Sequence, residues 1–577
     1  MREYYEAELR LLHESAQEFA KAYPEQAGML NLNELKDRDP YIERLLEGMA
    51  YLTAQIRQHI DDDIPEISEN LLYQLWPHFL RPYPSSTIIQ FMPRIGQLQQ
   101  SQLLEKGTLL LTDPIGDDRV ICRFGSTVDV TLNPIRLSRV SLSEPAGGGT
   151  QLKFTFQLDS GVSAADIDLS NLKIHIHADP ALALLLHHQF TGELQRAHLS
   201  FPDQPTVMPH NLGAQKCVSA SHFDMDASML PITGRSFHGF HLLQDFFNFR
   251  EKYMFFTING IENVTWPDAT SQFDIEFKIK AILPQDHSLT KDNFLLHCSP
   301  AVNLFKQASE PINLTHKRSA YPVIADLASR EGAEVYSVDK VTGVDAENGE
   351  QYEYFPMYTF QHRRKGGRYY HSNRRILGTG RPETYLSIGG VSTFRAEMLS
   401  CDITATNGSY PRRYIHENEI SIPSVDFPSY ASFKNLTRPS IMYPPPERGR
   451  FQWDLISHLS LNYSSLASLE VLRRVLSLYD WSNDEQNSRR INGIQNIEIE
   501  SIERIRKGAI LRGLEITLTV HEDRYRSISD IHLFGMVLHH FFSMYAAINC
   551  FVLTKLSCHP SNKVLKWEPL VGENSPI

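Results

Sequence analysis

At 577 residues and 66.0 kDa the chain exceeds what a single hydrophobic core serves, so three or four domains are expected. Hydrophobic content of 42% and charged content of 21% are those of a soluble globular protein and exclude a largely disordered or low-complexity chain. The net charge of −12, from 56 Lys and Arg against 68 Asp and Glu, argues against nucleic acid as the main partner.

The first predicted helix carries Tyr5, Leu9, Leu12, Ala16, Phe19 and Tyr23, steps alternating four and three, the a/d seam of a coiled coil or bundle. A second helix is expected from about Pro40 to Asp61, with Asp39 and Pro40 at its cap and first turn and Tyr41, Leu45, Met49, Leu52 and Ile56 along one face. The two helices pack on each other as a hairpin or on another chain; the pattern allows either. Pro65, Pro77, Pro82 and Pro84 are expected to break the helical region and set a boundary near residue 84.

From about 85 to 310 the period changes to two. Leu152, Phe154, Phe156 and Leu158 alternate with polar residues, as do Phe273, Ile275, Phe277 and Ile279 with Asp274, Glu276, Lys278 and Lys280, which predicts half-buried antiparallel strands. Mixed strands and polar loops follow over 311–435. The part from 436 to 577 holds a leucine-rich block from Trp453 to Trp481, a strand with Leu514, Ile516, Leu518 and Val520, and an apolar helix after Ile531 carrying Leu533, Phe534, Val537, Leu538, Phe541, Phe542, Tyr545, Ile548 and Phe551. The expected class is α+β and multidomain: a helical N-terminal region, two β-rich central domains and a mixed α/β C-terminal domain. The most apolar window, Val537 to Leu553, is interrupted by His539, His540, Ser543 and Asn549 and reads as a buried helix, not a membrane span.

Signs of chemistry are few. Phosphate-loop, nucleophile-elbow and zinc-protease motifs do not occur. His175 and His177 share a strand face without an evident third metal ligand, and His187 and His188 diverge on any regular element. Asp61 to Asp63 read as a solvated helix end, and His297 beside Cys298 is adjacency, not a catalytic pair. No catalytic residue, cofactor or metal is expected. Six scattered cysteines without a C-x-x-C pair fit neither a disulfide framework nor a zinc ribbon and point to a reducing compartment. The start, MREYYEAELRLLHE, is acidic and amphipathic, so neither Sec export nor cleavage is expected and the cytoplasm is the natural location.

Charge is unevenly spread. Residues 1–80 hold 16 acidic and 7 basic side chains, whereas 361–382 hold seven basic and no acidic ones. Such opposed fields are either two solvated surfaces or an electrostatic docking pair that weakens with salt. The basic stretch Arg363, Arg364, Lys365, Arg368, Tyr369, Tyr370, Arg374 and Arg375 mixes cations with aromatics around Gly366 and Gly367, as an exposed loop, a protein contact or a nucleic-acid-binding loop would.

Long strings in a fixed order carry a further signal. PPPERGR leads into WDLISHLSLNYSSL; REYYEAELRLLHESAQEFAKAYPEQAGML runs on to DPYIERLLEGMAYLTAQIRQHIDDDIPEISENLLYQLWPHFLRPYPS; then come GFHLLQDFFNFREKYMFF, FLLHCSPAVNLFKQASEPINLTHKRSAYPV, EVYSVDKV, MLSCDITATN and LHHFFSMYAAINCFVL. Together they resemble the TssF family, baseplate subunits of the bacterial type VI secretion system, over almost the whole chain. The Asp61 to Asp63 run and the HRRKGGRYYHSNRR segment depart from that pattern.

The resemblance implies a structural, non-enzymatic subunit, similar to wedge proteins of contractile phage tails. Two copies would join one TssG, with TssE and the adaptor TssK, in a wedge around the VgrG spike that templates the Hcp tube and the sheath. The assembly would be cytoplasmic and held near the inner membrane, with neither nucleic acid nor direct membrane insertion. Residues expected at partner interfaces are Tyr5, Leu9, Leu12, Phe19, Tyr23, Leu45, Leu52, Leu459, Leu466, Arg363, Arg364 and Arg368. The competing classes are a hydrolase with a dispersed site and a nucleic-acid-binding module acting through the 363–375 segment.

Overall fold

The computed structural model describes residues 5, 6, 8–13, 15, 16, 40–145, 148–232, 239–267, 270–283, 289–326, 332–345, 349–357, 367–376, 382–390, 397–446, 449–459, 468–506, 509–548 and 550–572. They form a mixed α/β protein with more strand than helix. The chain divides into two compact units, one made of residues 1–80 and 446–460 and the other of 81–445 and 461–577.

In the first unit, residues 8–13 are helical, with Tyr5, Leu9 and Leu12 half-buried and His13 Nε2 3.1 Å from Glu43 Oε2. Phe19 and Tyr23 lie outside the described residues. The second helix spans Pro40–Leu75, longer than expected, because Pro65 is accommodated inside it. Proline forfeits one backbone hydrogen bond, and the helix-forming stretch after it, ISENLLYQL, carries the helix on to the next proline, Pro77. Helix Gly449–Leu459, which opens the leucine-rich block, packs on this long helix and donates from Gln452 Nε2 to Glu69 Oε1 at 3.2 Å.

The second unit is built from sheets whose strands are far apart in sequence. Strand Ser86–Pro93 lies between Cys298–Val302 and Ala431–Asn435, antiparallel to both, in a six-stranded sheet that also takes Arg123–Ser126, Leu109–Thr112 and Ile420–Pro423. Its core packs Ile89, Phe91, Phe124, Leu132, Ile415, Ile420 and Phe433. A second sheet pairs the two alternating strands directly. In Thr150–Leu158 and Gln272–Ile279, Phe156 faces Phe273, Phe154 faces Ile275 and Leu152 faces Phe277, all fully buried. The opposite face is not wholly solvated: Asp274 is buried, and Lys153 Nζ reaches it at 2.6 Å.

An eight-stranded sheet centred on Glu334–Asp345 and Glu397–Thr406 includes Tyr369–Ile376. Half of the basic segment is therefore strand and not loop, as Tyr369 and Tyr370 favour. The C-terminal sheet runs Ile494–Arg506, Ala509–His521, Cys550–His559 and Val564–Lys566. Its central pair is parallel, joined by the crossover helix Ile528–Tyr545, which is buried along nearly its whole length. That helix stops earlier than the apolar pattern suggested. Ile548 lies beyond it, half exposed, and Phe551 belongs to the next strand, where the β-forming run Phe551-Val552-Leu553-Thr554 pairs with Gly513, Leu514, Glu515 and Ile516. No helix among the described residues is long and apolar enough to cross a membrane.

Candidate interface surfaces

Helix Pro40–Leu75 turns its expected seam outward. Tyr41, Leu45, Met49, Leu52 and Ile56 are 84%, 69%, 55%, 61% and 59% exposed, while the small Ala50 and Ala54 are buried. Spacings of four, four, three and four residues keep the five large side chains in one stripe. Full burial of a side chain of this size is worth about 1.5–3 kcal/mol, so covering Leu45, Met49, Leu52 and Ile56 would add stabilisation that their exposed positions lack.

The leucine-rich block is divided between the two units. Leu455 is buried in the first; Leu472, Val475, Leu476 and Tyr479 of helix Leu469–Tyr479 are buried in the second. Leu466 lies outside the described residues, as does the side chain of Leu459. Trp453 is 46% exposed.

Arg363 and Arg364 are also outside the described residues. Arg368 is described, and its guanidinium is used within the chain. It pairs with the buried Glu397, donates to Tyr354 Oη at 3.0 Å and lies 3.8 Å from the centroid of the Tyr352 ring. Tyr354 Oη donates to the other Glu397 oxygen at 2.5 Å, and burial pushes this phenol's pKa up. Gly343 makes the room: a Cβ there would sit 2.8 Å from both Glu397 Oε2 and the Tyr354 ring. Arg375 lies over the Tyr385 ring and Arg374 is 3.9 Å from Glu334. Because the Arg368 side chain is 16% exposed, Arg368→Ala will cost roughly 2 kcal/mol, below the 3–5 of a fully buried pair. A urea midpoint unchanged in Arg368→Ala would show that the pair contributes nothing to folding.

The candidates for chemistry are dispersed. The His175 and His177 ring centroids are 6.1 Å apart, and among the described residues no group of three or more His, Cys, Asp or Glu side chains is placed to hold a metal ion. Burial holds the His175 pKa down at about 3. His187 and His188 both lie buried on helix Pro180–Gly192; His188 stacks on His532 at 4.3 Å and its Nδ1 lies 3.1 Å from Ser529 Oγ. His297 takes a positive φ of 55° and its Nε2 accepts from the Asn133 backbone at 3.1 Å, away from any partnership with Cys298. Burial raises the Cys298 thiol far above its usual range, and Cys122 and Cys217 to about 12, so none of these three is a thiolate at neutral pH. An open groove of about 770 Å³ beside the C-terminal sheet is lined by Arg473, Glu485, Arg489, His521, Asp523 and Arg524. Its charges largely answer one another: Arg489 pairs with Glu485 at 2.6 Å, and Arg473 donates to the Asn492 carbonyl at 3.1 Å.

These features define a mixed α/β protein of packed sheets whose long N-terminal helix carries an exposed apolar stripe. The chain belongs to the TssF family of the type VI secretion system, whose model matches residues 1–574. It is 28% identical to the type VI secretion system component TssF1 of Pseudomonas aeruginosa, over 99% of this chain and 98% of that protein. Among solved structures it is similar to a chain of a TssK–TssF–TssG baseplate subcomplex, with a TM-score of 0.78, 32% identity and coverage of 93% of this chain and 100% of the other. A chain of a type VI secretion baseplate complex matches with a TM-score of 0.66 and 27% identity over 100% of both.

Proposed function

We propose that this protein is a structural subunit of the type VI secretion baseplate and that it acts by packing against other subunits, without chemistry of its own. The observation that carries this reading is the outward stripe Tyr41, Leu45, Met49, Leu52 and Ile56 on a helix of a chain that belongs to the TssF family. A face of that length is the kind that buries against neighbouring helices in an obligate interface. The TssF chain of the similar subcomplex assembles with TssK and TssG, and the proposal extends the corresponding partners to this chain. Two copies of this chain with one TssG-type subunit, together with TssE and TssK, would form the wedge. Wedges would surround the VgrG spike and template the Hcp tube and sheath, in the cytoplasm and close to the inner membrane. In this reading the helical region 1–84, including Tyr5, Leu9, Leu12, Phe19 and Tyr23, supplies the partner contacts. The β-rich segments 85–310 and 311–435 and the α/β segment 436–577 form the body.

Co-expression with the TssG- and TssK-type subunits, followed by native mass spectrometry, tests the reading through mass and stoichiometry. The double variant Leu45→Asp, Leu52→Asp is expected to weaken the complex at least a hundredfold, as loss of two buried leucines of about 2 kcal/mol each requires. Both side chains are exposed in the isolated chain, so its circular dichroism will be unchanged. A wedge that forms normally with the double variant would remove this helix face from the interface.

A further inference from the structure

The C-terminal sheet ends in an open edge. Strand Ile494–Arg506 pairs with Ala509–His521 on one side, and among the described residues no strand lies on the other. Natural edges are commonly short, bulged or interrupted by proline. This one is 13 residues long, contains no Pro or Gly, and keeps an unbroken register from Asn496 to Arg506. Ile497, Ile499, Ile502 and Ile505 give it the β-branched content of a strand that pairs on both sides.

Its charges are ordered along its length. Glu498, Glu500 and Glu503 come first and Arg504 and Arg506 last; Glu498, Glu500 and Arg504 are exposed. Glu515, on the neighbouring strand opposite Glu500, is paired with Lys555, which therefore does not serve Glu500. An antiparallel copy of the same strand would lay its basic end over this acidic stretch.

We propose that a second copy of this chain docks on this edge, strand to strand and antiparallel, about a two-fold axis at Ile502. In that register Glu500 lies opposite Arg504, Glu498 opposite Arg506 and Ile499 opposite Ile505, and the axis repeats each pair. The parity is the one a continuous sheet requires. Residues directly opposite share a face, so the Glu500–Arg504 pair and its repeat fall on the side of the sheet away from Ile499, Ile516 and Leu518. Shifting the axis to Ile499 would set Glu498 against Glu500, a like-charge pair that disfavours that register. The contact is isologous and therefore closes at two copies. It needs no other baseplate subunit, so its test is independent of the proposed function.

The purified full-length chain and two charge-reversed forms, Glu498→Arg with Glu500→Arg and Arg504→Glu with Arg506→Glu, would be compared by sedimentation velocity across the micromolar range. The unaltered chain is expected to dimerise with concentration, and each reversed form alone to sediment as a monomer, since like charges then meet. An equimolar mixture of the two reversed forms is expected to restore the dimer, because the all-basic strand meets the all-acidic one. Recovery on mixing also shows that both variants are folded. A chain that stays monomeric throughout, a dimer indifferent to either reversal, or a mixture that stays monomeric would each overturn the proposal.

Discussion

Between pH 7 and 5 the larger unit will lose its fold, the largest effect expected of any single change in conditions. Burial holds His175, His187, His222 and His540 at pKa values of about 3 and His188, His297 and His539 at about 4, and pushes His532 well below 6.5. Neighbouring cations add to the effect of burial: Lys563 lowers His188 and His532, and Lys173 lowers His222. In the unfolded chain each of these rings titrates near the ordinary 6.5.

The folded values are depressed, so on acidification protons bind the unfolded chain first. The stabilisation from the neutral buried rings is therefore full above about pH 6.5 and falls as pH drops towards the folded values. Each ring removes roughly 1 kcal/mol per pH unit in that window. Several acting together exhaust a stability of about 5–15 kcal/mol between about pH 6 and 5. Urea midpoints followed by far-ultraviolet circular dichroism at half-unit pH steps will show the slope. A stability constant from pH 7 to 5 would mean that these rings are not held neutral in the folded chain.

Asp530→Ala is expected to be among the most damaging single substitutions in the chain. Asp530 is fully buried and accepts from Arg490 Nε at 3.1 and 3.0 Å, one contact to each oxygen, and from Arg250 Nη2 at 2.8 Å. The Arg526 backbone N–H donates to it at 3.3 Å, while its own N–H is capped by Ser527 Oγ at 3.3 Å, the start of the crossover helix. The side chains of Arg490 and Arg250 are 3% and 21% exposed. Burial, with Arg490 and Arg526 nearby, holds the Arg250 pKa down at about 10, which shows how poorly this region tolerates a further uncompensated cation.

Removing the carboxylate leaves two guanidinium groups facing each other with little water. Breaking a buried pair in this way costs about 3–5 kcal/mol, a large share of the whole stability. The expected outcome is loss of most soluble protein, and a urea midpoint lowered accordingly in what remains. Adding Arg490→Met to Asp530→Ala removes one of the stranded charges and is expected to recover part of the loss. A midpoint within about 0.5 kcal/mol of the unaltered chain for Asp530→Ala alone would show that water reaches the arginines.

Much of the local structure was legible in the residues. The alternation at Leu152 to Leu158 and Phe273 to Ile279 marks two strands that do pair, face to face, through those side chains. A strict period of two excludes a one-residue slip, which would turn every aromatic to the other face. The apolar faces of helices Leu469–Tyr479 and Ile528–Tyr545 were visible for the same reason, because period and side-chain size are local properties. The ordered strings from the N-terminus to LHHFFSMYAAINCFVL pointed to the family to which the chain belongs.

Direction and partnership were not legible. Leu45 and Leu52 form an apolar stripe whichever way they point; only the packed chain turns them to solvent and Ala50 and Ala54 inward. Arg368 reads as one cation in a basic cluster, yet folding brings Glu397 and Tyr354 to it from other strands of the eight-stranded sheet. Asp530 carries no mark of its own either; its arginines arrive from residues 250 and 490. Periods, strand and helix faces and the family follow from the order of residues. Which distant segments meet follows only from the folded chain. Hydrophobic periodicity is set by neighbours along the chain, whereas a buried charge is tolerated only where its counter-charge has been brought alongside, and that depends on how strands such as Ser86–Pro93, Cys298–Val302 and Ala431–Asn435 are ordered in space.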